Sequence, residues 1–334
     1  MPTSPSARRL LLVVDAPSLL HRNHHARAHT QMIDRAGRPA WALHGMLRQI
    51  LDSIDAFAPD AVLFGLDDRT SSLRRDAYPD YKAGRPEKDP LLSEQLGRAG
   101  AMLDALGLAT HTPPGLEADD VNASGAAWAG RNGWNCVVIT SDRDAFALIS
   151  DHTQVLRLIN GGINGSPLLN PARLHAMYGV PAARYLEYAA LRGDASDNLP
   201  GVSGIGEKTA AALLDQVGPM ERVWSDIDHN EGREVTRILD DWATRTGVRR
   251  ISSRVVRALS APDARERYEF NRRLMTCHED LDLGLTPDIP GTPGLLPLDI
   301  DRVTRVVGFL GVEATTSLAQ RVLSTNPAST AASY

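Results

Sequence analysis

Leu10–Val14 is an unbroken apolar run closed by Asp15, the pattern of a strand buried on both faces. Ala61–Leu66 and Cys136–Thr140 repeat it, and Val155–Ile159 is a fourth candidate. The intervening segments carry apolar residues at helical spacing. Trp41–Phe57 places Leu43, Met46, Leu47, Ile50, Leu51 and Ile54 on one side; Pro90–Leu106 and Ala118–Arg131 do likewise. Strands alternating with helices predict an α/β fold with a mainly parallel central sheet flanked by helices. In such sheets a site forms outside the carboxyl ends of the strands. From about Pro171 the pattern turns helical, with segments at Pro171–Tyr178, Ala182–Arg192 and Lys208–Val217 and Arg-rich helices over 219–280. The organisation expected is an α/β unit over 1–170 and a helical region over 171–285. Residues 286–334 read as a Pro/Gly/Leu linker, a short helix at Asp299–Leu310 and a frayed Ser/Thr/Ala tail from Leu323.

Composition narrows the class. With 334 residues, 43% of them hydrophobic, the chain is not wholly disordered. No run reaches the roughly 18–20 apolar residues of a membrane-spanning helix. Leu10–Val14 is too short for an export signal and reads as a strand. Cys136 and Cys277 make neither a disulfide framework nor a Cys-based zinc site, which fits a reduced, cytoplasmic setting. The net charge of −5 argues against a polyanion partner only until its distribution is examined. Residues 69–88 hold six bases and three acids, and residues 231–273 hold eleven arginines and seven acids.

Acids collect where strands end. Asp15 closes the first, Asp67 and Asp68 follow the second, and Asp142 and Asp144 follow the third. Glu117, Asp119 and Asp120 open the helix at Ala118, and Asp194 and Asp197 sit in a Gly-Asp-Ala-Ser-Asp turn. Any one of them, Asp68 or Asp144 for instance, is accounted for by helix capping. Together, on one edge of a parallel sheet, they repel: two carboxylates about 4 Å apart cost roughly 4 kcal/mol at an effective dielectric of ~20. Cations relieve this, and an all-oxygen donor set suits Mg²⁺ or Mn²⁺ over zinc. A pair of such ions is the arrangement that hydrolyses phosphodiesters.

Between two helical segments lies Leu199-Pro-Gly-Val-Ser-Gly-Ile-Gly-Glu-Lys-Thr. Gly201, Gly204 and Gly206, followed by a helix N-terminus and Lys208, form a helix-hairpin-helix pattern that holds a nucleic-acid backbone without reading bases. Arg74, Arg75, Tyr81, Lys82, Arg85 and Lys88 leave the acidic edge as a basic stretch suited to phosphates, with Tyr81 available to stack on a base. His21, His24, His25 and His29 fall on one helix face; without accompanying acids or Cys they read as surface or DNA-facing, not as metal ligands.

These motifs resemble the bacterial 5′-nucleases, the 5′–3′ exonuclease domain of DNA polymerase I and its free-standing flap endonuclease relatives. The resemblance rests on Asp-Ala-Pro-Ser-Leu-Leu-His-Arg (15–22), Arg-Arg-Asp-Ala-Tyr-Pro-Asp-Tyr-Lys-Ala-Gly-Arg-Pro (74–86), Gly-Leu-Glu-Ala-Asp-Asp-Val (115–121), Thr-Ser-Asp-Arg-Asp (140–144) and residues 191–210, and spans roughly 10–285. It implies a PIN-like core with a helical arch over 69–95 and a helix-hairpin-helix over 182–217. It further implies nine metal-site acids, Asp15, Asp67, Glu117, Asp119, Asp120, Asp142, Asp144, Asp194 and Asp197, for two Mg²⁺ or Mn²⁺ ions. Lys82 and Arg85 match the family's catalytic arch residues. Arg22, Arg74, Tyr81, Gly201, Val202, Gly204, Ile205, Gly206, Lys208 and Thr209 match DNA contacts, with a K⁺ ion at the hairpin. The implied substrate is DNA with a 5′ flap, a nick or a free 5′ end, RNA–DNA primer junctions included, cut by a monomeric, stand-alone, nucleoid-associated enzyme of replication and repair. Ala16-Pro17 after Asp15, and Asn23-His24 where the family has an aromatic, depart from its pattern. Two readings stay open beside it: a non-catalytic DNA-junction binder and a PIN-like ribonuclease.

Overall fold

The computed structural model describes residues 8–325, Gly161 excepted. Strand β1 (Leu10–Asp15) runs straight into helix α1 (Ala16–Arg27), which Asp15 caps, and α2 (Trp41–Phe57) returns the chain to β2 (Ala61–Gly65). A five-residue helix α3 (Leu73–Ala77) and the long α4 (Pro90–Leu106) lead to β3 (Ala109–His111). Helix α5 (Ala118–Arg131) then precedes β4 (Asn135–Thr140) and β5 (Thr153–Arg157). A single-turn α6 (Gly162–Gly165) precedes a short β6 (Leu168–Leu169). The sheet order is β3-β2-β1-β4-β5-β6, parallel except for β6. The chain builds outward from β1 to one side and then the other, so the crevice beside β1 and β4 is the topological switch point of the sheet.

Alternation along each strand serves two cores. Leu11, Val13, Leu63, Cys136 and Val138 face α5 and the helical region beyond it. Leu12, Val14, Val62, Phe64, Val137 and Ile139 face α1, α2 and α4. The helical region comprises α7 (Pro171–Tyr178), α8 (Tyr185–Arg192), α9 (Glu207–Gln216), α10 (Met220–Asn230), α11 (Arg233–Thr246), α12 (Ser252–Leu259) and α13 (Ala264–Met275). Tyr185, Leu213, Val235 and Tyr268 from these helices belong to the same apolar cluster as Leu11 and Val138. The packing is therefore continuous across the boundary expected at 170.

Several details depart from the sequence reading. Strands β3 and β6 were not foreseen, because two or three residues carry no periodic signal, and β5 lies at Thr153–Arg157 where Val155–Ile159 was expected. Residues 69–89 hold one short helix and turns where a helical arch was expected. Residues 286–297 do not hang free. Val62 N donates to Gly294 O and Leu296 N to Asp60 O, which lays this segment along β2. Helices α14 (Ile300–Phe309) and α15 (Glu313–Ser324) then bury Val303, Val307, Ala319 and Leu323 in the core of α2 and α4. A Ser/Thr/Ala-rich composition concealed that apolar stripe. Leu323, expected to open a tail, is part of the core; the tail reading for 326–334 falls outside the described residues.

Candidate active site

Asp15, Asp67 and Asp142 follow the carboxyl ends of β1, β2 and β4, which are three adjacent strands. Asp15 Oδ1 accepts from Ser18 N (2.9 Å) and Oδ2 from the Thr140 hydroxyl (2.7 Å), so the carboxylate ties the end of β1 to β4. Asp67 Oδ1 accepts from Ala118 N (3.0 Å) and draws the start of α5 to the same edge. Asp15, Asp67, Glu117, Asp119 and Asp142 line one cleft of about 670 Å³ with His21, Arg22, His25, Lys82, Arg85 and Lys88. Ser18, Ser141 and Asn160, which the sequence reading passed over, complete its wall. The Ser18 and Ser141 hydroxyls are 2.5 Å apart, and Arg22 donates to Asn160 Oδ1 (2.9 Å).

Three of the acids resist ionisation. Burial is the main force raising the Asp15 carboxyl to about 7, against its two hydrogen bonds, and the charges of Asp67 and Asp142 add to it. Asp119 is raised well above the carboxylate range by burial, then by Asp15 and Asp142. Asp144 is raised to about 7 by burial, then by Asp142, Asp194 and Asp197. Asp142 thus links two groups of acids, one around Asp15 and Asp119, the other around Asp144, Asp194 and Asp197. Asp144 Oδ1 is buried with no hydrogen-bond partner. Among the described residues no three acids, histidines or cysteines stand close enough to close a shell around one ion. The donor chemistry nevertheless fits a hard divalent cation: oxygen only, mutually repelled, with a buried oxygen left unpaired.

Other expected site residues are placed differently. Asp120 has no exposed side-chain surface and turns away from the cleft. Arg74 grips its two oxygens at 2.7 and 2.8 Å, and the amides of Glu117 and His278 also donate to it. Arg74 also donates to Glu117 Oε2 (3.2 Å) and Leu274 O (3.1 Å), so its guanidinium is spent inside the protein and not offered to a phosphate. Tyr81, expected to stack on a base, is 5% exposed and gives its hydroxyl to Glu117 Oε2 (3.0 Å). Lys82 Nζ sits 2.7 Å from Glu117 Oε1, and Arg85 Nη2 2.5 Å from Asp197 Oδ1. Burial would raise the Glu117 carboxyl, but Lys82, Arg74 and Tyr81 hold it below its ordinary value. Asp68 takes no part; Thr70, Ser71 and Gly115 donate to it and staple the loop. Of the four histidines only His21 and His25 reach the cleft, while His24 is buried against Trp41 and His29 lies beyond α1. Burial, with Lys88 next, lowers His21 to about 4 and keeps it neutral.

The hairpin forms as its glycines require. A Cβ on Gly201 would fall 2.1 Å from Arg192 O, so only glycine permits this approach of α8 to the turn. Val202 and Ile205, expected as DNA contacts, are buried and donate their amides to Leu191 O and Val202 O. They shape the turn, and Gly204, Gly206, Lys208 and Thr209 are its outward part. Helix α9 follows Gly206, with no side chain capping its amides. No helix among the described residues is long and apolar enough to cross a membrane.

The family model for the N-terminal resolvase-like domain of 5′-3′ exonucleases matches residues 10–179, and that for the C-terminal SAM fold of the same exonucleases matches 180–290. The thermostable DNA polymerase I of Thermus aquaticus is 38% identical over 218 residues, covering 65% of this chain and 25% of its own length. DNA polymerase I of Mycobacterium bovis is 30% identical over 305 residues, covering 91% of this chain and 31% of its own length. The chain therefore spans less than a third of these curated relatives. Among solved structures, the T5 D15 protein co-crystallised with metal ions aligns with a TM-score of 0.58 at 17% identity, over 94% of this chain and all of that one. Flap endonuclease-1 from Methanococcus jannaschii aligns at 0.53 and 14%, over 96% and 93%. At these identities the structural likeness speaks to the fold alone.

Proposed function

Because the chain belongs to the 5′-3′ exonuclease family and its acids gather at one sheet edge beside a basic wall, we propose that it hydrolyses phosphodiester bonds in DNA at a free 5′ end or a 5′ flap, with Mg²⁺ or Mn²⁺ as cofactor. The observation that carries this reading is the convergence of Asp15, Asp67, Glu117, Asp119 and Asp142 on one cleft, with Asp144 Oδ1 buried and unpaired, a crowding of carboxylates that a divalent cation would relieve. Asp15, Asp67, Glu117 and Asp119 would hold one ion, and Asp142, Asp144, Asp194 and Asp197 the other. Divalent cations supply nucleophile activation and neutralisation of charge on the reacting phosphate.

The protein's own residues do the rest. Asp15 and Thr140 fix the spacing of the two central strands, hence of the acids on them. Lys82 and Arg85 pair with Glu117 and Asp197 in the wall of the cleft and supply positive charge to a phosphate held there. The Gly201–Lys208 hairpin holds the duplex by its backbone, so recognition is of the junction and not of sequence. Asp120 and Arg74 act as a brace for Glu117.

The test is cleavage of a 5′-flap duplex, a nick with a single-nucleotide flap and a blunt duplex, with Mg²⁺, with Mn²⁺ and with EDTA. Cleavage of the flap that EDTA abolishes is expected. Asp142→Ala or Asp144→Ala should abolish cutting while flap binding stays within about tenfold. Binding without any cutting would leave a junction-binding protein, and preference for a matched RNA flap would leave a ribonuclease.

A further inference from the structure

Beyond Asp142 the cleft continues between the sheet and the hairpin into a second recess of about 540 Å³, lined by Arg143, Arg157, Arg192, Asp194, Ser196 and Glu207, among others. We infer that Arg143, Arg157 and Arg192 form a preorganised cradle for a backbone phosphate of the nucleic-acid strand, immediately beside the acids. The inference rests on the nuclease reading above and names a subsite for it.

The three arginines come from separate elements: the turn after β4, the end of β5 and the end of α8. Each lies over an aromatic ring. Arg143 is 5.3 Å from the Tyr178 ring, Arg157 5.9 Å from Phe146 and Arg192 5.5 Å from Tyr188. Those rings are joined in a row through Tyr185, with neighbouring centroids 5.3 to 5.4 Å apart, and Phe146, Tyr185 and Tyr188 are buried. The chain has only five phenylalanines and seven tyrosines, and four of the twelve back this one recess. Stacked guanidiniums have little rotamer freedom left to lose, so a phosphate bound there orders less than it would on free side chains.

An anion already occupies the cradle. Glu207 Oε1 stands 3.3 Å from Arg143 Nη2 and 3.5 Å from Arg192 Nη1, longer than a charge-assisted pair prefers, and its side chain is 56% exposed. A carboxylate held loosely between two forks marks where a phosphate oxygen fits and can swing aside for it. The other acids facing the recess are Asp142 and Asp194, the latter 3.7 Å from Arg192 Nη2. Both belong to the proposed cation site, so cations there would leave the arginines in excess.

The experiment measures binding of a fluorescein-labelled 5′-flap duplex by anisotropy in EDTA over a series of salt concentrations. Arg143→Gln with Arg192→Gln should weaken binding about tenfold or more near physiological salt and flatten the log K against log [salt] slope by about one, for the one lost phosphate contact. Glu207→Gln breaks the same ion pairs but removes the competing anion, so it should tighten binding about twofold or more. An unchanged slope in the arginine variant overturns the cradle. So does a Glu207→Gln protein that binds as weakly as the arginine variant, because the trio would then only brace the hairpin. Wild-type protein that binds with the expected slope but cuts nothing in Mg²⁺ or Mn²⁺ would reject the nuclease reading and leave the cradle standing.

Discussion

The guanidinium of Arg74 closes a fork on the carboxylate of Asp120, with bonds of 2.7 and 2.8 Å in a setting where the arginine side chain is 11% exposed and the aspartate not at all. The pair joins the basic segment after β2 to the first turn of α5, and through Glu117 it holds one wall of the cleft. Two residues that resemble a DNA contact and a metal ligand thus satisfy each other.

Arg74→Ala should therefore act on folding. It strands a buried carboxylate, and removing one partner of such a pair typically costs about 3–5 kcal/mol. Arg74→Lys should recover only part of this, since a single ammonium cannot make both bonds. Urea unfolding at pH 7 checks it; an unchanged midpoint for Arg74→Ala would show that the fork carries no load.

The contribution of Asp15 and Asp144 to stability without metal should fall as pH rises towards neutrality, whereas His21, lowered to about 4, works against this trend below about pH 6.5. Asp15 and Asp144 ionise near 3.8 in the unfolded chain but are raised to about 7 in the fold. The folded state keeps protons that the unfolded chain has released, so the stability this confers is full below about pH 4 and is lost as pH climbs through 7. Glu117 and Asp120 are shifted the opposite way, and their stabilisation is lost only as pH falls below the ordinary carboxylate range, outside this window. Adding Mg²⁺ to EDTA-treated protein should raise the melting temperature more at pH 8 than at pH 5, because protons compete for the same oxygens. Equal shifts at the two pH values would detach these acids from metal binding.

Lys82→Ala should lower turnover about 100-fold with flap affinity changed less than about threefold, the signature of a charge used on the reacting phosphate. Single-turnover cleavage beside equilibrium binding separates the two. Loss of affinity alone would make Lys82 a positioning contact.

Gly201→Ala should destabilise the hairpin by about 1–3 kcal/mol, since the added methyl meets backbone at 2.1 Å and the turn must shift. Gly206→Ala meets nothing within 4 Å and should lower the unfolding free energy by only about 1 kcal/mol or less, the cost of alanine at a helix N-cap. Similar unfolding curves for both variants would contradict this account of the turn.

Much of the molecule was legible along the chain. Trp41–Phe57, Pro90–Leu106 and Ala118–Arg131 have the bounds that their apolar spacing predicts, and β1 and β2 are the runs that end in acid. Periodicity reports such elements because burial of one face is a local demand. The convergence of Asp15, Asp67 and Asp142 followed too, because parallel strands share one C-terminal edge. Only tertiary structure decided which charges face solvent and which face each other. Arg74, Tyr81 and Asp120 look in sequence like the residues around them, yet they are consumed by partners up to 200 positions away. The row of aromatic rings beneath Arg143, Arg157 and Arg192 was equally invisible, since it draws on positions 146, 178, 185 and 188 from three separate elements. A side chain's type follows from the sequence, but its electrostatic role depends on the distance to its nearest opposite charge, and folding sets that distance.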